Sequence, residues 1–350
     1  MARNKTLMTR RIAIGVDLGG TNLRIAVLDD KAVILEAVTL PTQVAAGPEA
    51  AVERMCVAIA DLIRGAGPAM GVGVAVPGVL DPDAGAIRYT VNLPGWAGYP
   101  LRTAIEQRLG LPTRIEHDGA AAVLGEYWSG AGRGQRSFCM LTLGTGVGGA
   151  LLLDGRLWRG QEGFPLELGH ISLNPWGAPC GCGGLGCLET YASATALIRV
   201  AETRMRAGHA PALQQAADAA GGITPELLAR MAQAGDPCAL EIWDGLGSVL
   251  GIALAMLVHA YDLPLYVIGG GVARAWSLFE CRLQAELQRR SLIYRLGRTR
   301  VVASELDEAG LIGAAALILL PASPPPEGLG PSQRSDGAYR GSDFSTPTVG

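Results

Sequence analysis

A short stretch of the chain, residues 167–193, concentrates side chains that bind metal ions. It contains His170 and three closely spaced cysteines, Cys180, Cys182 and Cys187. Three thiolates and one imidazole form a donor set that suits tetrahedral zinc. The spacing C-x-C-x4-C differs from the paired C-x2-C of common zinc ribbons, so a group of free thiols is the alternative. We favour zinc because the four side chains are so tightly clustered.

This zinc ion would have a structural role, because four protein ligands leave no position for a reactive water molecule. Glu167 and Glu189 flank the cluster. The loop between them is too rich in glycine to hold its own shape, and a bound metal would fix it. The stretch therefore indicates a metal clamp that orients two carboxylates toward a polar ligand.

Two glycine-rich turns between apolar runs, residues 17–22 and 144–149, predict β-hairpins with phosphate-binding tips. Backbone N–H groups and hydroxyls at such tips can bind phosphate oxygens, and Asp17 can hold magnesium directly or through water. Either turn alone is more simply an ordinary hairpin, but the recurrence indicates two duplicated halves. The phosphate-binding candidates are Asp17, Gly19, Gly20, Thr21, Asn22, Gly144, Thr145, Gly146 and Gly148.

Two other features follow predicted strands, at the edge where α/β sheets place their ligands. A run of three glycines, 269–271, separates the strand 265–268 from a predicted helix and allows close approach of a base or ribose. Asp118 follows the strand 113–115 and begins an alanine-rich helix. There it is either a capping residue or a proton acceptor for a hydroxyl group.

A possible sugar contact lies between these features. The loop 92–96 exposes the amide of Asn92 beside Trp96, and such a pair often holds a sugar. Trp96 could equally be part of the core. Gly78 ends the predicted strand 70–76, which places it at the same sheet edge.

Composition narrows the class of protein. The chain has 350 residues, 49% of them hydrophobic and 17% charged, which is typical of an α/β enzyme with two domains. Its net charge of -3 indicates neither nucleic acid nor an anionic membrane as a partner. The remaining cysteines are scattered, which favours buried thiols and a cytoplasmic location. No signal peptide is evident, and the longest apolar stretch, 249–258, is too short to span a bilayer.

From residue 12 to residue 320 the chain resembles the ROK family of sugar kinases and repressors. The segment with Glu167, Gly169, His170, the three cysteines and Glu189 matches the family signature position by position. The resemblance implies an actin-like, hexokinase-like ATPase fold: two α/β domains with a duplicated ribonuclease H-like core and a cleft between them. We expect a flexible N-terminus (1–11), a smaller domain (12–130), a larger domain (131–320) whose last helix packs on the first domain, and a disordered tail (321–350).

The resemblance also implies roles for individual residues. Asp118 matches the catalytic base, and Gly269, Gly270 and Gly271 match the adenosine motif. Zinc is expected on His170, Cys180, Cys182 and Cys187. One position departs from the family, because His117 stands where an asparagine usually precedes the catalytic aspartate. The sugar-binding residues are expected to be Gly78, Asn92, His117, Asp118, Glu167, His170 and Glu189.

The activity implied is transfer of the ATP γ-phosphoryl group to the 6-hydroxyl of a hexose, with magnesium bound to the nucleotide. Glucose is the expected sugar, because the loop 92–96 and the segment around Gly78 resemble the bacterial glucokinase branch. N-acetylmannosamine, mannose, fructose or allose is the alternative, since His117 alters the sugar site. Polyphosphate remains open as a donor, and the family resemblance suggests a homodimer or homotetramer.

Two other classes of function compete with a kinase. The same family includes sugar-responsive repressors, but only about ten residues precede the first predicted strand, too few for a DNA-reading domain. A sugar-binding protein without catalysis is the other, and Asp118 together with both phosphate motifs argues against it.

Overall fold

A computed structural model describes residues 10–81, 83–90, 92–160 and 166–321 of the chain. The predicted N-terminus (1–11) and tail (321–350) lie outside the described residues except for residues 10, 11 and 321. The strands in the described residues are β1 (Ile12–Leu18), β2 (Asn22–Asp29), β3 (Ile34–Pro41), β4 (Val72–Val76), β5 (Val79–Asp81), β6 (Ala86–Tyr89), β7 (Thr113–His117), β8 (Phe138–Leu143), β9 (Val147–Leu153), β10 (Arg156–Leu157), β11 (Leu265–Gly269) and β12 (Arg300–Ala303).

Helices connect and cover these strands. Three short segments are 3₁₀ helix: Val44–Ala46, Leu168–His170 and Gly271–Leu278. The α-helices are α1 (Gly47–Ala66), α2 (Leu101–Leu109), α3 (Asp118–Ser129), α4 (Glu189–Ala192), α5 (Ala194–Arg206), α6 (Pro211–Ala220), α7 (Pro225–Gln233), α8 (Pro237–Tyr261), α9 (Glu280–Arg290), α10 (Leu292–Leu296) and α11 (Ala309–Leu319).

Two five-stranded sheets share one topology. The first has the strand order β3-β2-β1-β4-β7 and the second β10-β9-β8-β11-β12. In the first sheet, β1, β2 and β3 pair antiparallel, and β4 and β7 continue the sheet in parallel from β1. In the second sheet, β8, β9 and β10 pair antiparallel, and β11 and β12 continue the sheet in parallel from β8. The central strands are apolar on both faces because helices cover both sides. The duplication inferred from the two glycine-rich turns is therefore present in the sheets.

Some helices differ from the sequence prediction. The pattern predicts one helix over 188–206, whereas the structure has α4 and α5, separated by Ser193. Ser193 has extended backbone angles, and its Oγ accepts a hydrogen bond from Ala196 N, so it caps α5. The helix predicted from Trp276 starts as 3₁₀ helix at Gly271, and α6 lies where no element is predicted.

The last helix, α11, packs against β1, β4 and α3 rather than against the second sheet. At two glycines the approach is backbone to backbone. A Cβ added to Gly73 on β4 would lie 1.8 Å from Ala314 O, and one added to Gly313 on α11 would lie 1.6 Å from Ala121 O. No side chain fits in either gap, so these glycines let the helix lie directly on the strand and on α3.

One described helix, α8, is long and apolar enough to cross a bilayer, with a mean hydropathy of 1.6. Most of its apolar stretch is buried, and it packs against α5, α7 and α9. Trp243 and Leu250 on this helix are completely buried in the core that covers the second sheet. α8 therefore has the position of a central core helix.

Glu286 on α9 is a buried carboxylate that joins α8 to α9 and pairs with partly exposed arginines. Its side chain is 3% exposed. Oε2 accepts hydrogen bonds from Arg289 and Arg290 at 2.7 and 2.8 Å, and Oε1 accepts one from Ser248 at 3.2 Å and lies 3.0 Å from Arg282. Arg289, and then Arg290, lower the pKa of Glu286 to about 2 against the opposing effect of burial.

Replacing Glu286 with glutamine should destabilise the protein at neutral pH by about 1–2 kcal/mol, a value reduced because the arginines are partly exposed. Since the folded pKa is depressed, the stabilisation is present above the unfolded value near 4.5 and is lost as pH falls toward about 2. The melting temperatures of the protein and the variant should therefore converge in acid. Glu202→Gln is the control, because its pair with Arg206 is exposed. An equal loss in both variants would contradict the assignment.

Candidate active site

The four predicted zinc ligands lie together. Their ligand atoms are all within 4.8 Å of one another. His170 Nδ1 is 3.5 Å from Cys180 Sγ, and the sulfur atoms of Cys182 and Cys187 are 3.7 Å apart. Donors on a tetrahedral zinc lie roughly 3.3–3.8 Å apart, given metal–ligand distances of about 2.0–2.3 Å. The cluster therefore fits the ion in size and in chemistry, and Nδ1 is the imidazole atom that faces it.

Backbone contacts fold the zinc loop back on itself. Ser172 and Pro179 form isolated bridges with Cys187 and Leu185. Cys180 N donates to Gly184 O at 2.8 Å, which turns the loop between the first two sulfur atoms and the third. The loop therefore presents its sulfur atoms toward His170.

Glu189 connects the zinc loop to the second glycine-rich hairpin. Its Oε1 lies 3.9 Å from Cys180 Sγ, and its Oε2 accepts a hydrogen bond from Val147 N at 2.9 Å. A Cβ at Gly146 would lie only 2.2 Å from Oε2, so glycine is needed for this approach. No sequence pattern indicated the contact with Val147, because the two residues are far apart in the chain. A metal that fixes Cys180 thereby also fixes the neighbour of the hairpin tip.

The second hairpin tip is held by the start of α5. Ala194 N donates to Gly144 O, and Thr195 Oγ1 donates to Thr145 O, both at 2.8 Å. A Cβ at Gly144 would meet nothing within 4 Å, so the tip is open on that side. Gly148 packs against Thr142, where its Cβ would lie 2.6 Å from Oγ1.

The predicted adenosine segment lies beside this tip. Gly269 on β11 pairs with Thr142 on β8. Gly270 has φ +87° and approaches Leu143 so closely that a Cβ would lie 2.4 Å from its carbonyl oxygen. A Cβ at Gly271 would meet nothing within 4 Å. The structure thus places the glycine-rich segments 144–149 and 269–271 next to each other.

The first hairpin tip is held by Thr42, which the sequence analysis did not identify. Thr42 is completely buried. Its Oγ1 donates to Gly19 O at 2.6 Å, and its N donates to Thr21 O at 2.8 Å. Gly20 lies against Asn92, where a Cβ would be 2.8 Å from the carbonyl oxygen of that residue. The predicted sugar-binding residue Asn92 and the predicted phosphate tip are therefore neighbours.

The side chains of Thr21, Asn22, Asn92 and Glu167 are exposed, whereas Trp96 is completely buried. Trp96 packs edge to face with Tyr99, with 5.8 Å between ring centroids. Of the two alternatives for this tryptophan, the structure therefore supports a place in the core. The tight turn at Gly78, which has φ +109°, brings it against Tyr89 O.

Asp17 lies at the end of β1 among other charges. Arg24 is 3.7 Å from Asp17 and 3.0 Å from Glu308, which precedes α11. Burial, the charge of Asp118 and the charge of Glu308 raise the pKa of Asp17 to about 6, against the lowering effect of Arg24. Asp17 and Asp118 are close enough to interact electrostatically. A pair of carboxylates of this kind suits a divalent cation bound between or beside them.

Asp118 is the first residue of α3, and its side chain is 45% exposed. Its Oδ1 accepts a hydrogen bond from Gly119 N at 2.6 Å and lies 3.3 Å from His117 Nε2. Gly119 in turn packs on the second sheet, since a Cβ there would be 3.2 Å from Gly149 N. The start of α3 therefore contacts the second hairpin through Gly119, and the charge of Asp118 acts on Asp17 in the first.

One cavity adjoins the predicted site residues, and a second lies elsewhere. One of about 190 Å³ lies between the zinc loop, the second hairpin tip and α5, and it is lined by Cys180, Glu189 and Thr145 among others. A larger one of about 510 Å³ is lined by Arg204, His209, Pro237, Cys238 and Glu241. None of these five is a predicted site residue, so size alone does not identify the site.

The duplicated sheets, each with a glycine-rich hairpin, define an actin-like, hexokinase-like ATPase fold, as the sequence predicts. Within that class the chain belongs to the ROK family, whose model matches residues 13–320. The predicted family is therefore confirmed over the whole of the two sheets.

Individual relatives agree with this assignment. A glucokinase from Thermotoga maritima is 36% identical over 306 residues, which cover 87% of this chain and 96% of the relative. The crystal structure of a ROK family glucokinase from Streptomyces griseus, in complex with glucose and AMPPNP, is 35% identical with a TM-score of 0.77, covering 88% of this chain and 99% of that one. A ROK hexokinase from Thermus thermophilus is 35% identical with a TM-score of 0.72, covering 88% and 98%.

Metal analysis of the purified protein should find about one equivalent of zinc. Cys182→Ser should lower that content, because an oxygen replaces one of three soft ligands, and should lower the melting temperature as the loop loses its anchor. Cys281→Ser is the matched control, since Cys281 is an exposed cysteine outside the cluster. Full stability without bound metal would rule out the clamp.

Proposed function

We propose that this chain is an ATP-dependent glucokinase, which transfers the γ-phosphoryl group of ATP to the 6-hydroxyl of glucose. One arrangement carries the proposal: Asp118, at the start of α3, acts electrostatically on Asp17 in the first glycine-rich hairpin, and its neighbour Gly119 contacts the second. The chain is also about 35% identical to glucokinases over 87% or 88% of its length. A base between two phosphate-binding tips suits phosphoryl transfer to a hydroxyl group.

The donor would be held by backbone groups of the two hairpins. Phosphoryl transfer asks the protein mainly for positioning and for charge stabilisation. Residues 19–22 and 144–148 supply N–H groups and hydroxyls at the two tips. Hydrogen bonds from Thr42 hold the first tip, and hydrogen bonds from the start of α5 hold the second. Gly269, Gly270 and Gly271, beside the second tip, would border the adenosine. Magnesium would neutralise phosphate charge, with Asp17 as its protein ligand.

The acceptor would be oriented by Asp118. Because Gly119 N donates to Oδ1, Oδ2 is the oxygen available to accept the proton of the sugar hydroxyl. Among the residues that the structure describes, nothing donates a hydrogen bond to Oδ2. An ordinary carboxylate is a sufficient base, since proton transfer comes late in a loose transition state.

The sugar site would surround that carboxylate. Gly78, Asn92, Glu167 and Glu189 would contribute to it from different elements, and His170 would offer Nε2 because Nδ1 faces the metal cluster. Zinc in this site would hold the loop that carries Glu189. His117 in place of the usual asparagine keeps N-acetylmannosamine, mannose, fructose and allose as alternative substrates.

A homodimer or homotetramer remains a prediction from the family resemblance, and a cytoplasmic location remains a prediction from the scattered cysteines and the lack of an evident signal peptide. Neither the oligomeric state nor the location is needed for the chemistry proposed for one subunit. Polyphosphate as an alternative donor is tested together with the sugars.

A coupled assay with ATP and a panel of hexoses tests the substrate. We expect the highest kcat/KM with glucose, because two relatives that are 36% identical to this chain are glucokinases. The panel should include N-acetylmannosamine, mannose, fructose and allose, each also paired with polyphosphate. A higher kcat/KM for N-acetylmannosamine than for glucose would overturn the choice of sugar, and no turnover with any hexose would overturn the kinase.

Asp118→Asn should reduce kcat by about 10²–10⁴-fold, since an amide cannot accept the hydroxyl proton. Glucose binding measured by calorimetry should remain within a few-fold, because the amide keeps the shape and polarity of the side chain. Asp154→Asn is the control, as Asp154 is an exposed aspartate in the turn after β9. Activity retained by Asp118→Asn would mean that another group is the base.

A further inference from the structure

The residue before the proposed base departs from the family pattern, and its surroundings suggest what it does. His117 ends β7 and precedes α3, and its ring is only 8% exposed. Nε2 lies 3.3 Å from Asp118 Oδ1. Nδ1 is buried without a hydrogen-bond partner among the described residues. The two nitrogen atoms of the ring are therefore in different environments.

The ring is confined on the Nδ1 side by Gly119. A Cβ at position 119 would lie 3.3 Å from His117 Cε1 and 3.4 Å from Nδ1. Nδ1 therefore has no route to a substrate, and Nε2 is the nitrogen with a polar neighbour. An ionised carboxylate can only accept, so the imidazole must carry its hydrogen on Nε2 to donate to Asp118. Contacts of this kind are often long in the free enzyme and shorten when substrate binds.

The backbone of His117 is fixed by a buried carboxylate. His117 N donates to Glu116 Oε1 at 3.0 Å, and Glu116 is 7% exposed. The other oxygen of Glu116 is paired with Arg159, which follows β10 in the second sheet. Asp118 is thus the charged group measured against the ring itself, while Glu116 contacts the backbone of His117 and pairs with Arg159. Because this ion pair crosses from one sheet to the other, it holds the start of α3 in register with the second sheet.

We propose that His117 is a positioning residue for Asp118: its Nε2–H donates to Oδ1 in the substrate complex and leaves Oδ2 directed at the acceptor hydroxyl. Gly119 N already donates to Oδ1. Two donors on one oxygen would fix the rotation of the carboxylate, which otherwise pivots about one hydrogen bond. This inference rests on the proposed kinase function and deepens it, since it assigns His117 to the base rather than to the sugar.

Two variants separate positioning from sugar binding. His117→Phe keeps a ring but removes the donor, and should lower kcat about tenfold, the effect of one hydrogen bond to a charged group. KM for glucose should change by less than about twofold. His117→Gln, whose amide nitrogen can reach the position of Nε2, should recover most of kcat. Thermal melting and calorimetric glucose binding establish that both variants are folded.

The opposite pattern would overturn the proposal. If Nε2 contacts the sugar instead, KM for glucose rises in His117→Phe while kcat is retained. Equal losses of kcat in His117→Phe and His117→Gln would also contradict it, since restoring the donor would then have no effect.

The tautomer of His117 can be observed without any turnover. The chain has four histidines, and the His117→Gln variant assigns the resonance of this one in long-range ¹H–¹⁵N spectra. We expect a singly protonated ring to carry its hydrogen on Nε2, with an Nε2 resonance that moves in Asp118→Ala. A singly protonated ring with its hydrogen on Nδ1 would refute the proposal.

These readouts also separate this inference from the proposed function. If the chain phosphorylates a hexose other than glucose, the same variants are assayed with that hexose. If it phosphorylates none, the kinase proposal fails, and the tautomer and its response to Asp118→Ala still decide whether His117 contacts Asp118.

Discussion

The site depends on direct backbone contact between the last helix and the elements that carry two aspartates. α11 lies on β4 at Gly73 and on α3 at Gly313, where no Cβ fits. β1, beside β4, ends near Asp17, and α3 begins with Asp118. The spacing of the two carboxylates is therefore set by close packing, which tolerates little adjustment. The rise that the charge of Asp118 causes in the pKa of Asp17 follows from this spacing.

A second set of contacts links the other half of the site to the same point. Glu189 joins Cys180, a candidate zinc ligand, to Val147 in the second hairpin, and the backbone of that hairpin packs against Gly119. A metal ion bound by Cys180 would thus be linked to Asp118 through these contacts. This link would give a physical reason for a structural metal in this part of the chain.

Much of this arrangement could be predicted from sequence, because it depends on local patterns. Apolar runs between glycine-rich turns predicted both hairpins, and the cysteine spacing predicted the cluster that His170 completes. The contact of Glu189 with Val147 and the support of the first tip by Thr42 could not be predicted, since each joins residues distant in the chain. The break at Ser193 was missed because a serine within a helical pattern is equally compatible with either conformation.

His117 shows the limit of reasoning from a motif. Its position next to Asp118 matches a sugar-contacting position of the family, but the direction of the ring is decided by Gly119 and by the burial of Nδ1. The spacing of residues along the sequence does not reveal packing of this kind. The same holds for α11, whose composition predicts a buried helix and does not indicate that it lies at backbone distance from two other elements.

A crystal structure of the complex with glucose and a non-hydrolysable ATP analogue is the most direct test of the central claim, that close packing places Asp118 at the acceptor hydroxyl. The account predicts the 6-hydroxyl oxygen within about 3 Å of Asp118 Oδ2, with the terminal phosphate on its other side, between the two hairpin tips. A complex in which that hydroxyl contacts another side chain, with Asp118 turned away, would contradict it.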